Sequence, residues 1–378
     1  ILISEEGTMK AKVYFTDMRC RKEAENKTAK VEKLCEHIGI NNFIKKNDLT
    51  AIKLHFGEFG NDTHLRPQLV RKVVDLAKQA GANPFLTDTN TLYSGSRKNS
   101  VDHLETAYAH GFGPATMNAP IIIADGLNGK NTMEVPVENL KYFQKTFIAR
   151  EIYEADSMIV LSHFKGHLVA GFGGAIKNLA MGCASFWGKR AQHDTRVKVN
   201  AENCIACGNC LKICPAHAVS MKKEENAKHA FVDRNKCIGC FECQTVCAPK
   251  AIVNEHDSDL SSFVERIAEY AYSAIQNKKN KVFYVNFLLN ITPDCDCVSW
   301  SDAPMVADIG ILASTDPLAI DKASYDLVTR AKSLQPMEND GINIDKFAHR
   351  WEKTHGYNIF THGEKIGLGS LDYELIKI

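Results

Sequence analysis

The sequence lacks three features that define particular classes of protein. Its 378 residues contain no apolar run close to the roughly eighteen residues that span a bilayer. The segment from Ile1 to Lys12 has neither the basic nor the apolar region of a signal peptide. The 46 Lys and Arg residues balance 45 Asp and Glu residues, so the net charge is +1. We therefore expect a cytoplasmic protein without membrane insertion, and the balanced charge gives no indication of a nucleic-acid partner.

Cysteine, in contrast, is abundant. The chain has 13 cysteines, and eight of them lie within 44 residues. A disulfide framework is typical of a small secreted chain, whereas this chain is long and shows no secretion signal. Hydrophobic residues make up 44% and charged residues 24% of the sequence, which is the balance of a globular protein with a sizeable core. The clustered cysteines are therefore interpreted as metal ligands.

The eight clustered cysteines form an internal repeat. Residues 204–215 read C-I-A-C-G-N-C-L-K-I-C-P, and residues 237–249 read C-I-G-C-F-E-C-Q-T-V-C-A-P. Each copy has the spacing C-x2-C-x2-C-x3-C, and a shift of 33 residues superimposes all four cysteines and the apolar positions that flank them. In the second copy Ala248 separates the last cysteine from the proline, which alters the local turn and leaves the ligands unchanged.

This spacing predicts two 4Fe-4S clusters with interleaved ligands. Three thiolates within seven residues bind three irons of a cubane, and the fourth cysteine points away and binds the cluster of the other repeat. One predicted set comprises Cys204, Cys207, Cys210 and Cys247, and the other comprises Cys237, Cys240, Cys243 and Cys214. Zinc is the alternative, but a zinc site uses two well-separated pairs of ligands. We therefore expect this segment to transfer electrons.

Short β-branched apolar runs alternate with amphipathic segments on both sides of the repeat. The predicted strands are Thr50–Leu54, Pro84–Thr87, Ile121–Ala124, Met158–Leu161, Val282–Leu289 and Ala307–Ala313. Asp316 and Pro317 predict the N-cap and the first position of a helix. We expect an α/β fold, a mostly parallel sheet with flanking helices, formed by residues 9–195 and 257–378. Residues 196–256 are expected to form an inserted, ferredoxin-like α+β domain.

A polar, glycine-rich stretch follows one predicted strand. Residues 162–183 read S-H-F-K-G-H-L-V-A-G-F-G-G-A-I-K-N-L-A-M-G-C. Open α/β sheets bind ligands at the carboxyl ends of their strands, and backbone N–H groups at the start of the next helix can hold an anion. The candidate catalytic residues are His163, His167 and Lys177, and the candidate cofactor-binding residues are Lys165, Gly171, Gly173 and Gly174. The alternative is a tight strand-to-helix turn in which glycines allow close packing.

Two further groups follow predicted strands. His55 comes directly after Thr50–Leu54 and is a candidate catalytic residue at the same edge of the sheet. Cys295 and Cys297 form a C-x-C pair beside two aspartates, which suits a soft metal or a redox change. If this segment is extended, both sulfur atoms lie on one side. The alternative is two small thiols that only pack in the interior.

Four stretches of the chain together resemble a known family. They are K-L-H-F-G-E-F-G-N at 53–61, S-H-F-K-G-H with G-F-G-G-A-I-K-N-L at 162–179, T-P-D-C-D-C at 292–297 and D-P-L-A-I-D at 316–321. These stretches resemble the iron–sulfur proteins that carry a DUF362 domain with an inserted two-cluster ferredoxin of the bacterial type. The resemblance extends over nearly the full length from Met9. It implies the fold and the two clusters, but no particular reaction.

A second resemblance concerns one segment. From His167 to Lys177 the sequence has the pattern H-x3-G-F-x-G-x2-K, and His193 follows sixteen residues later. This pattern is similar to the cofactor segment of nickel-pincer lactate racemases. The resemblance implies that His167 is an acid/base group, that Lys177 holds a pyridinium-derived pincer cofactor, and that His193 binds nickel. An additional metal or organic cofactor of open identity is therefore expected here.

Three functions agree with these features. In the first, the protein is an iron–sulfur oxidoreductase whose clusters serve a redox reaction at a cleft lined by histidine and lysine. Its partner is then a redox protein or a small-molecule substrate. In the second, the chain is an electron carrier or docking module, and in the third it is a racemase or epimerase with structural clusters. A two-cluster carrier needs only about sixty residues, so the large α/β part favours an enzyme.

Overall fold

A computed structural model describes residues 10–194, 196–224, 227–254 and 259–378. The strands are β1 (Ala11–Asp17), β2 (Leu49–Lys53), β3 (Asn83–Asp88), β4 (Ile121–Ile123), β5 (Thr132–Pro136), β6 (Lys145–Ala149), β7 (Ser157–His163), β8 (Lys165–His167), β9 (Gly171–Gly173), β10 (Val197–Val199), β11 (Val219–Glu224), β12 (Ala227–Val232), β13 (Ile252–Asn254), β14 (Val282–Leu288), β15 (Gly310–Ser314) and β16 (Tyr373–Lys377).

The helices separate most of these strands. The α-helices are α1 (Lys27–Ile38), α2 (Ile40–Phe43), α3 (Pro67–Gln79), α4 (Ser100–Ala109), α5 (Pro114–Met117), α6 (Arg150–Glu154), α7 (Ala175–Cys183), α8 (Phe186–His193), α9 (Asn209–Ile213), α10 (Glu242–Thr245), α11 (Asp259–Ile275), α12 (Pro317–Arg330), α13 (Lys346–Arg350) and α14 (Asn358–Lys365). Two short 3-10 helices are Glu23–Glu25 and Glu338–Gly341.

One eight-stranded sheet organises the α/β part. Its strand order is β16-β1-β15-β14-β7-β2-β3-β4. Within this sheet β15 runs antiparallel to both of its neighbours, and the other five pairings are parallel. The sheet takes strands from both sides of the cysteine repeat. The α/β class with a mostly parallel sheet, predicted from the sequence, is therefore confirmed.

Helices cover both faces of this sheet. One buried cluster packs α7, α11, α12 and α14 against one face, and a second packs α1 and α3 against the other face. The central strands β7 and β14 are buried along their whole length. Strands that lie between two helical layers have no solvent-facing side, which explains their continuous apolar runs in the sequence.

The helix after β15 begins as predicted. The carboxylate of Asp316 accepts hydrogen bonds from two backbone N–H groups of the first turn at 2.8 and 2.9 Å, and Pro317 occupies the first helical position. The strand before this helix starts later than expected, at Gly310 instead of Ala307. Val306, just before the predicted start, instead forms an isolated bridge with Ser333.

The cysteine repeat forms a small unit with its own core. Strand β10 pairs with β13, and β11 pairs with β12, both in antiparallel orientation. The 33-residue shift relates β10 to β12, α9 to α10 and β11 to β13. Each strand pair therefore joins one strand from each repeat, and the two repeats are interleaved rather than placed one after the other.

The segment boundaries predicted from the sequence fall at or beside residues that the structure does not describe. Residues 195 and 255–258 lie outside the described residues, so the boundaries near 195 and 256 stay a prediction. Within the described ranges, no helix combines the length and the apolar character needed to cross a membrane.

Candidate functional site

Three adjacent parallel strands bring the predicted site segments together. Strand β7 lies between β2 and β14 and is parallel to both. The chain continues from their carboxyl ends to His55, to Lys165 and His167, and to Cys295 and Cys297. Because the carboxyl ends of parallel strands meet at one edge of a sheet, residues far apart in the sequence become neighbours here.

The two cysteines lie on a tight turn. Residues Cys295 to Val298 form a β-turn that is closed by a 3.1 Å hydrogen bond from the N–H of Val298 to the carbonyl of Cys295. The segment is therefore a turn, so the alternation of side chains that an extended segment would have does not apply to it. Gly166 allows its close approach, because a Cβ at that position would lie only 2.1 Å from the carbonyl oxygen of Pro293. We call Cys295–Val298 the dithiol turn.

A buried carboxylate fixes the dithiol turn. Both oxygens of Asp296 lie 2.9 Å from Nδ1 of His163, and one lies 3.4 Å from Nζ of Lys165. Burial opposes ionisation of Asp296, but His163 and Lys165 outweigh it and hold its pKa below the ordinary value. Nε2 of His163 faces the carbonyl oxygens of Leu289 and Asn290 at 2.8 and 3.1 Å. Since both ring nitrogens face acceptors only, His163 has the bonding of an imidazolium.

His163 thus holds the dithiol turn in place. Neither of its nitrogens is left to meet a substrate in this arrangement. The catalytic role that the sequence suggested for His163 stays a prediction, and the contacts give this residue a positioning role.

The two sulfur atoms lie beside the imidazole of His167. The sulfurs of Cys295 and Cys297 and a ring nitrogen of His167 all lie within 4.8 Å of one another. Cys295 is buried, whereas Cys297 is partly exposed. A hydrogen bond from Cys297, together with the charges of Lys177 and Lys165, lowers the pKa of Cys295 well below the ordinary value despite its burial. The hydrogen bond with Cys295, together with burial, raises the pKa of Cys297 well above the ordinary value.

His167 and His55 are held in the same tautomer. Nδ1 of His167 accepts hydrogen bonds from the N–H groups of Val169 and Ala170 at 3.1 and 3.0 Å, and Nδ1 of His55 accepts one from Gly57 at 3.0 Å. Burial, followed by nearby lysine and arginine charges, lowers the pKa of both histidines well below the ordinary value. A neutral imidazole that accepts at Nδ1 carries its proton at Nε2. Both histidines therefore offer an Nε2–H donor.

Lys177 supplies a cation to this group. Its side chain is partly exposed, and within the described part of the chain its ammonium group forms no hydrogen bond or ion pair. Lys165, in contrast, donates to the carbonyl of His163 at 3.0 Å. A Cβ at Gly173 would lie 3.4 Å from Cδ of Lys177 and 3.8 Å from Nζ of Lys165, so this glycine leaves room for both lysines. The group formed by His55, His167, Lys177, Cys295 and Cys297 is called the candidate cleft below.

The start of α7 is occupied by an anion from the chain itself. The N–H groups of Ala175 and Ile176 donate to the carboxylate of Asp321 at 2.8 and 2.9 Å. A Cβ at Gly174 would lie 2.4 Å from that carboxylate. The expectation that these N–H groups hold a ligand anion is therefore wrong. A cofactor-binding role of Gly171, Gly173 and Gly174 stays a prediction, since the contacts assign packing roles to Gly173 and Gly174.

His193 lies apart from the two sulfurs. Its ring packs against those of Phe263 and Phe241, with centroids 5.1 and 6.2 Å away. Burial, with Lys177 and Lys189 nearby, lowers its pKa to about 3, so the ring is neutral. In the described residues His193 does not join the group whose ligand atoms surround His167.

A buried network of charges, missed in the sequence, lies beside His55. Nζ of the fully buried Lys53 donates to Asp88 at 2.9 Å and to Asn178 at 2.6 Å. Arg97, also buried, pairs with Glu58 at 3.1 Å and with Asp88 at 3.5 Å. The sequence signal was a lysine within an apolar strand run, because a buried charge requires partners. This network supports the loops that carry the candidate cleft.

The repeat cysteines line two cavities of similar size. One cavity is lined by Cys204, Cys207, Cys210 and Cys247. The other is lined by Cys214, Cys237, Cys240 and Cys243. Each cavity thus holds one of the two interleaved sets expected from the spacing. A separate open cavity between β6 and α8 is lined by none of the predicted site residues.

One loop links the second cysteine set to the candidate cleft. Glu242, between two cysteines of that set, accepts a hydrogen bond from the N–H of Ser94. The adjacent Tyr93 places its hydroxyl 2.5 Å from Nη2 of Arg97. Burial raises the pKa of Tyr93 well above the ordinary value, and Arg97 opposes this shift. Cys297 raises the pKa further, which indicates that Cys297 lies near Tyr93.

Comparison with solved structures gives only partial likenesses. The lactate racemase apoprotein from Thermoanaerobacterium thermosaccharolyticum has 17% sequence identity and a TM-score of 0.37, with 74% of this chain and 51% of that chain covered. A structural-genomics protein from Thermotoga maritima has 10% identity and a TM-score of 0.37, with 77% and 57% covered. This chain therefore spans little more than half the length of either structure, and the likeness is too low to carry an argument about function.

Sequence comparison identifies the family. No curated protein matches the chain. The family model described as a domain of unknown function, DUF362, matches residues 50–326, which is more than half of the chain and includes both the candidate cleft and the cysteine repeat. The chain belongs to the DUF362 family.

Proposed function

We propose that this protein is an iron–sulfur oxidoreductase that holds two 4Fe-4S clusters and uses them for a redox reaction at the candidate cleft. The observation that carries the proposal is the division of eight cysteines between two cavities. If each repeat held its own cluster, Cys214 would line the cavity of Cys204, Cys207 and Cys210. Cys247 lines that cavity instead, and Cys214 lines the other one. Such an exchange of the fourth ligand is the pattern of two-cluster ferredoxins.

The surroundings of the sulfurs suit such clusters. The N–H of Ala218 lies 3.3 Å from Sγ of Cys214, and the N–H of Ala230 lies 3.4 Å from Sγ of Cys204. Apolar side chains such as Ile252 and Val197 line the remaining walls. Backbone hydrogen bonds to sulfur and limited solvent exposure are the means by which proteins set cluster potentials. When bound, each cluster would exchange single electrons.

The candidate cleft contains groups that hold protons and favour negative charge. His55 and His167 each offer an Nε2–H, and the charge of Lys177 favours a thiolate at Cys295. These donors favour an anionic substrate or an anion that develops during reduction. Because reduction at neutral pH requires protons, Nε2 of His167 is the atom proposed to supply one. The substrate is a small molecule or the site of a redox partner protein, and a cytoplasmic location is part of the same proposal.

Two alternatives assign other roles to the α/β part. An electron carrier or docking module would use the clusters alone. The donors of the candidate cleft would then have no function. A racemase with a nickel-pincer cofactor would use His167, Lys177 and His193 together. Among the described residues, the ligand atoms grouped with His167 are the sulfurs of Cys295 and Cys297 and not a nitrogen of His193, which favours the redox proposal over that alternative.

Anaerobic purification followed by iron and sulfide analysis tests the proposal. We expect about eight irons and eight sulfides per chain, with the absorption of 4Fe-4S clusters. The variants Cys207→Ser and Cys240→Ser should each retain about four irons. Cys20→Ser is the matched control, since Cys20 is exposed and belongs to neither set. Stoichiometric zinc without a cluster spectrum would contradict the proposal.

Double variants test the exchange of the fourth ligand. Cys214→Ser combined with Cys240→Ser affects one proposed set, so about four irons should remain. Cys214→Ser combined with Cys207→Ser affects both sets and should remove nearly all iron. The opposite result would assign Cys214 to the cluster of its own repeat and would refute the interleaved arrangement.

A further inference from the structure

Cys295 and Cys297 lie outside both proposed cluster sites and have the geometry of a reactive pair. The two residues occupy the first and third positions of the dithiol turn, with the sulfurs side by side. Neither forms a disulfide in this structure. The turn is held by Asp296, whose carboxylate binds His163 and Lys165, so the cysteines keep their relative position.

The surroundings favour thiol chemistry over metal binding. A histidine that binds a metal through Nε2 keeps its proton on Nδ1 and donates it to another group. Nδ1 of His167 instead accepts two backbone hydrogen bonds, so its Nε2 bears the proton and cannot serve as a neutral ligand. The charges of Lys165 and Lys177 beside the sulfurs oppose a cation and stabilise a thiolate. Two sulfurs alone are half of a zinc ligand set.

We propose that Cys295 and Cys297 form a dithiol/disulfide couple that serves as the two-electron redox group of the candidate cleft. This inference rests on the proposed function, since the clusters are its one-electron partners. On oxidation, the two sulfurs lose two electrons and two protons and form one S–S bond, and each of two oxidised 4Fe-4S clusters takes one electron. Reduction reverses these changes: two electrons and two protons break the S–S bond and restore both thiols.

Individual contacts assign roles within this couple. Cys297 is the less buried of the two residues, so it is the one assigned to react first with an incoming oxidant or reductant. A ring nitrogen of His167 lies within 4.8 Å of both sulfurs and the charge of Lys177 favours a thiolate at Cys295, so both groups stabilise the thiolate that forms when the S–S bond opens. A disulfide requires sulfurs about 2 Å apart, so a rotation of the Cys297 side chain closes the bond.

Electron counting on the anaerobic holoprotein tests the couple. After mild oxidation, a dithionite titration of the wild type should consume about four electrons per chain, one for each cluster and two for the disulfide. Cys295→Ser and Cys297→Ser should each consume about two, while Cys20→Ser should match the wild type. Thiol alkylation and peptide mass analysis provide a second measurement, because the oxidised peptide lacks two hydrogens and resists alkylation until it is reduced.

The outcomes separate this inference from the proposed function. If iron is absent, the cluster proposal fails, while thiol titration in redox buffers still tests the couple. If about eight irons are present and all variants consume equal numbers of electrons, the couple is refuted and the clusters stand. A bound metal that disappears in Cys295→Ser, with thiols protected by that metal in the wild type, would also overturn the inference. Cluster absorption in each variant serves as the check of folding.

Discussion

Two regions of the molecule are built on different kinds of core. The first is the cysteine repeat from β10 to β13, called the insertion below, and the second is the α/β body around the eight-stranded sheet. Seven buried residues form the core of the insertion, and three of them are cysteines, Cys210, Cys237 and Cys243. The body instead has two large apolar clusters, one on each face of its sheet. A core of that small size rarely stabilises a unit alone, and metal binding is the usual supplement. The body therefore depends on hydrophobic burial, whereas the insertion is expected to depend on its clusters.

The two regions also differ in the polar groups that they bury. The body buries ion pairs such as Lys53 with Asp88 and Arg97 with Glu58, each with further hydrogen-bond partners. The core of the insertion instead contains the thiols of Cys210, Cys237 and Cys243, which bind iron as thiolates. Removal of metal should therefore destabilise the insertion, and removal of a buried charge should destabilise the body.

The largest expected effect is the response of the insertion to loss of metal. Structural metals contribute on the order of 10 kcal/mol in small metal-dependent domains. After anaerobic chelation, we expect the amides of β11 and β12 to lose protection from hydrogen exchange while those of β7 and β14 keep it. Mass-spectrometric exchange of holoprotein and metal-free protein measures this difference. Protection of β11 and β12 without iron would show that the insertion has a sufficient core of its own.

A large effect in the body is expected from Lys53→Met. Its ammonium group is fully buried and lies 2.9 Å from Asp88, so the substitution leaves a buried carboxylate short of a partner. Removing one member of such a pair costs about 3 to 5 kcal/mol in the free energy of unfolding. Lys145→Met is the matched control, since Lys145 and Glu134 form an exposed pair worth less than about 1 kcal/mol. Equal denaturant midpoints for the two variants would contradict the assigned role of Lys53.

A smaller effect is expected at the start of α7. Asp321→Ala removes the carboxylate that accepts from the N–H groups of Ala175 and Ile176. Loss of this cap should lower the free energy of unfolding by about 2 kcal/mol. Asp372→Ala, which removes an exposed carboxylate paired with Lys10, is the control and should be nearly neutral. If the two variants were equally stable, Asp321 would not cap the helix in solution.

The smallest effect is a dependence of body stability on pH through His103. Burial lowers the pKa of His103 to about 3, in spite of the nearby Asp88, whereas an unfolded histidine titrates near 6.5. Between these values the unfolded chain binds one more proton, so stability present above pH 6.5 is lost as pH falls, by about 1.4 kcal/mol per unit. His103→Phe should remove this contribution. Parallel unfolding curves at pH 6.5 and 5.5 for both proteins measure it, and identical pH slopes would refute it.

Local signals in the sequence predicted much of the fold. The apolar run from Met158 to Leu161 lies within β7, and Asp316 caps α12 as its position before Pro317 indicated. The cap of α7 could not be predicted, because its carboxylate, Asp321, lies 146 residues away from Ala175. A capping residue is recognisable only when it directly precedes its helix.

The candidate cleft was predicted in part. His167, Cys295 and Cys297 were named from the segments that follow two strands, and the order of these strands makes the three residues neighbours. Lys53 was missed because its apolar run was interpreted only as a strand, although a lysine inside a buried strand requires a charged or polar partner. The bonding of His163 was also missed, since Asp296 lies 133 residues further along the chain.

The sequence by itself determined the features that depend on short spacings: the cysteine repeat, the strand and helix periods, and the cap of α12. Only the tertiary structure decided that Asp296 binds His163, that Asp321 occupies the start of α7, and that His167 keeps its proton on Nε2. The physical reason is that backbone geometry translates short spacings directly into local structure. Contacts between distant residues depend instead on the order of strands in the sheet, which no local pattern specifies.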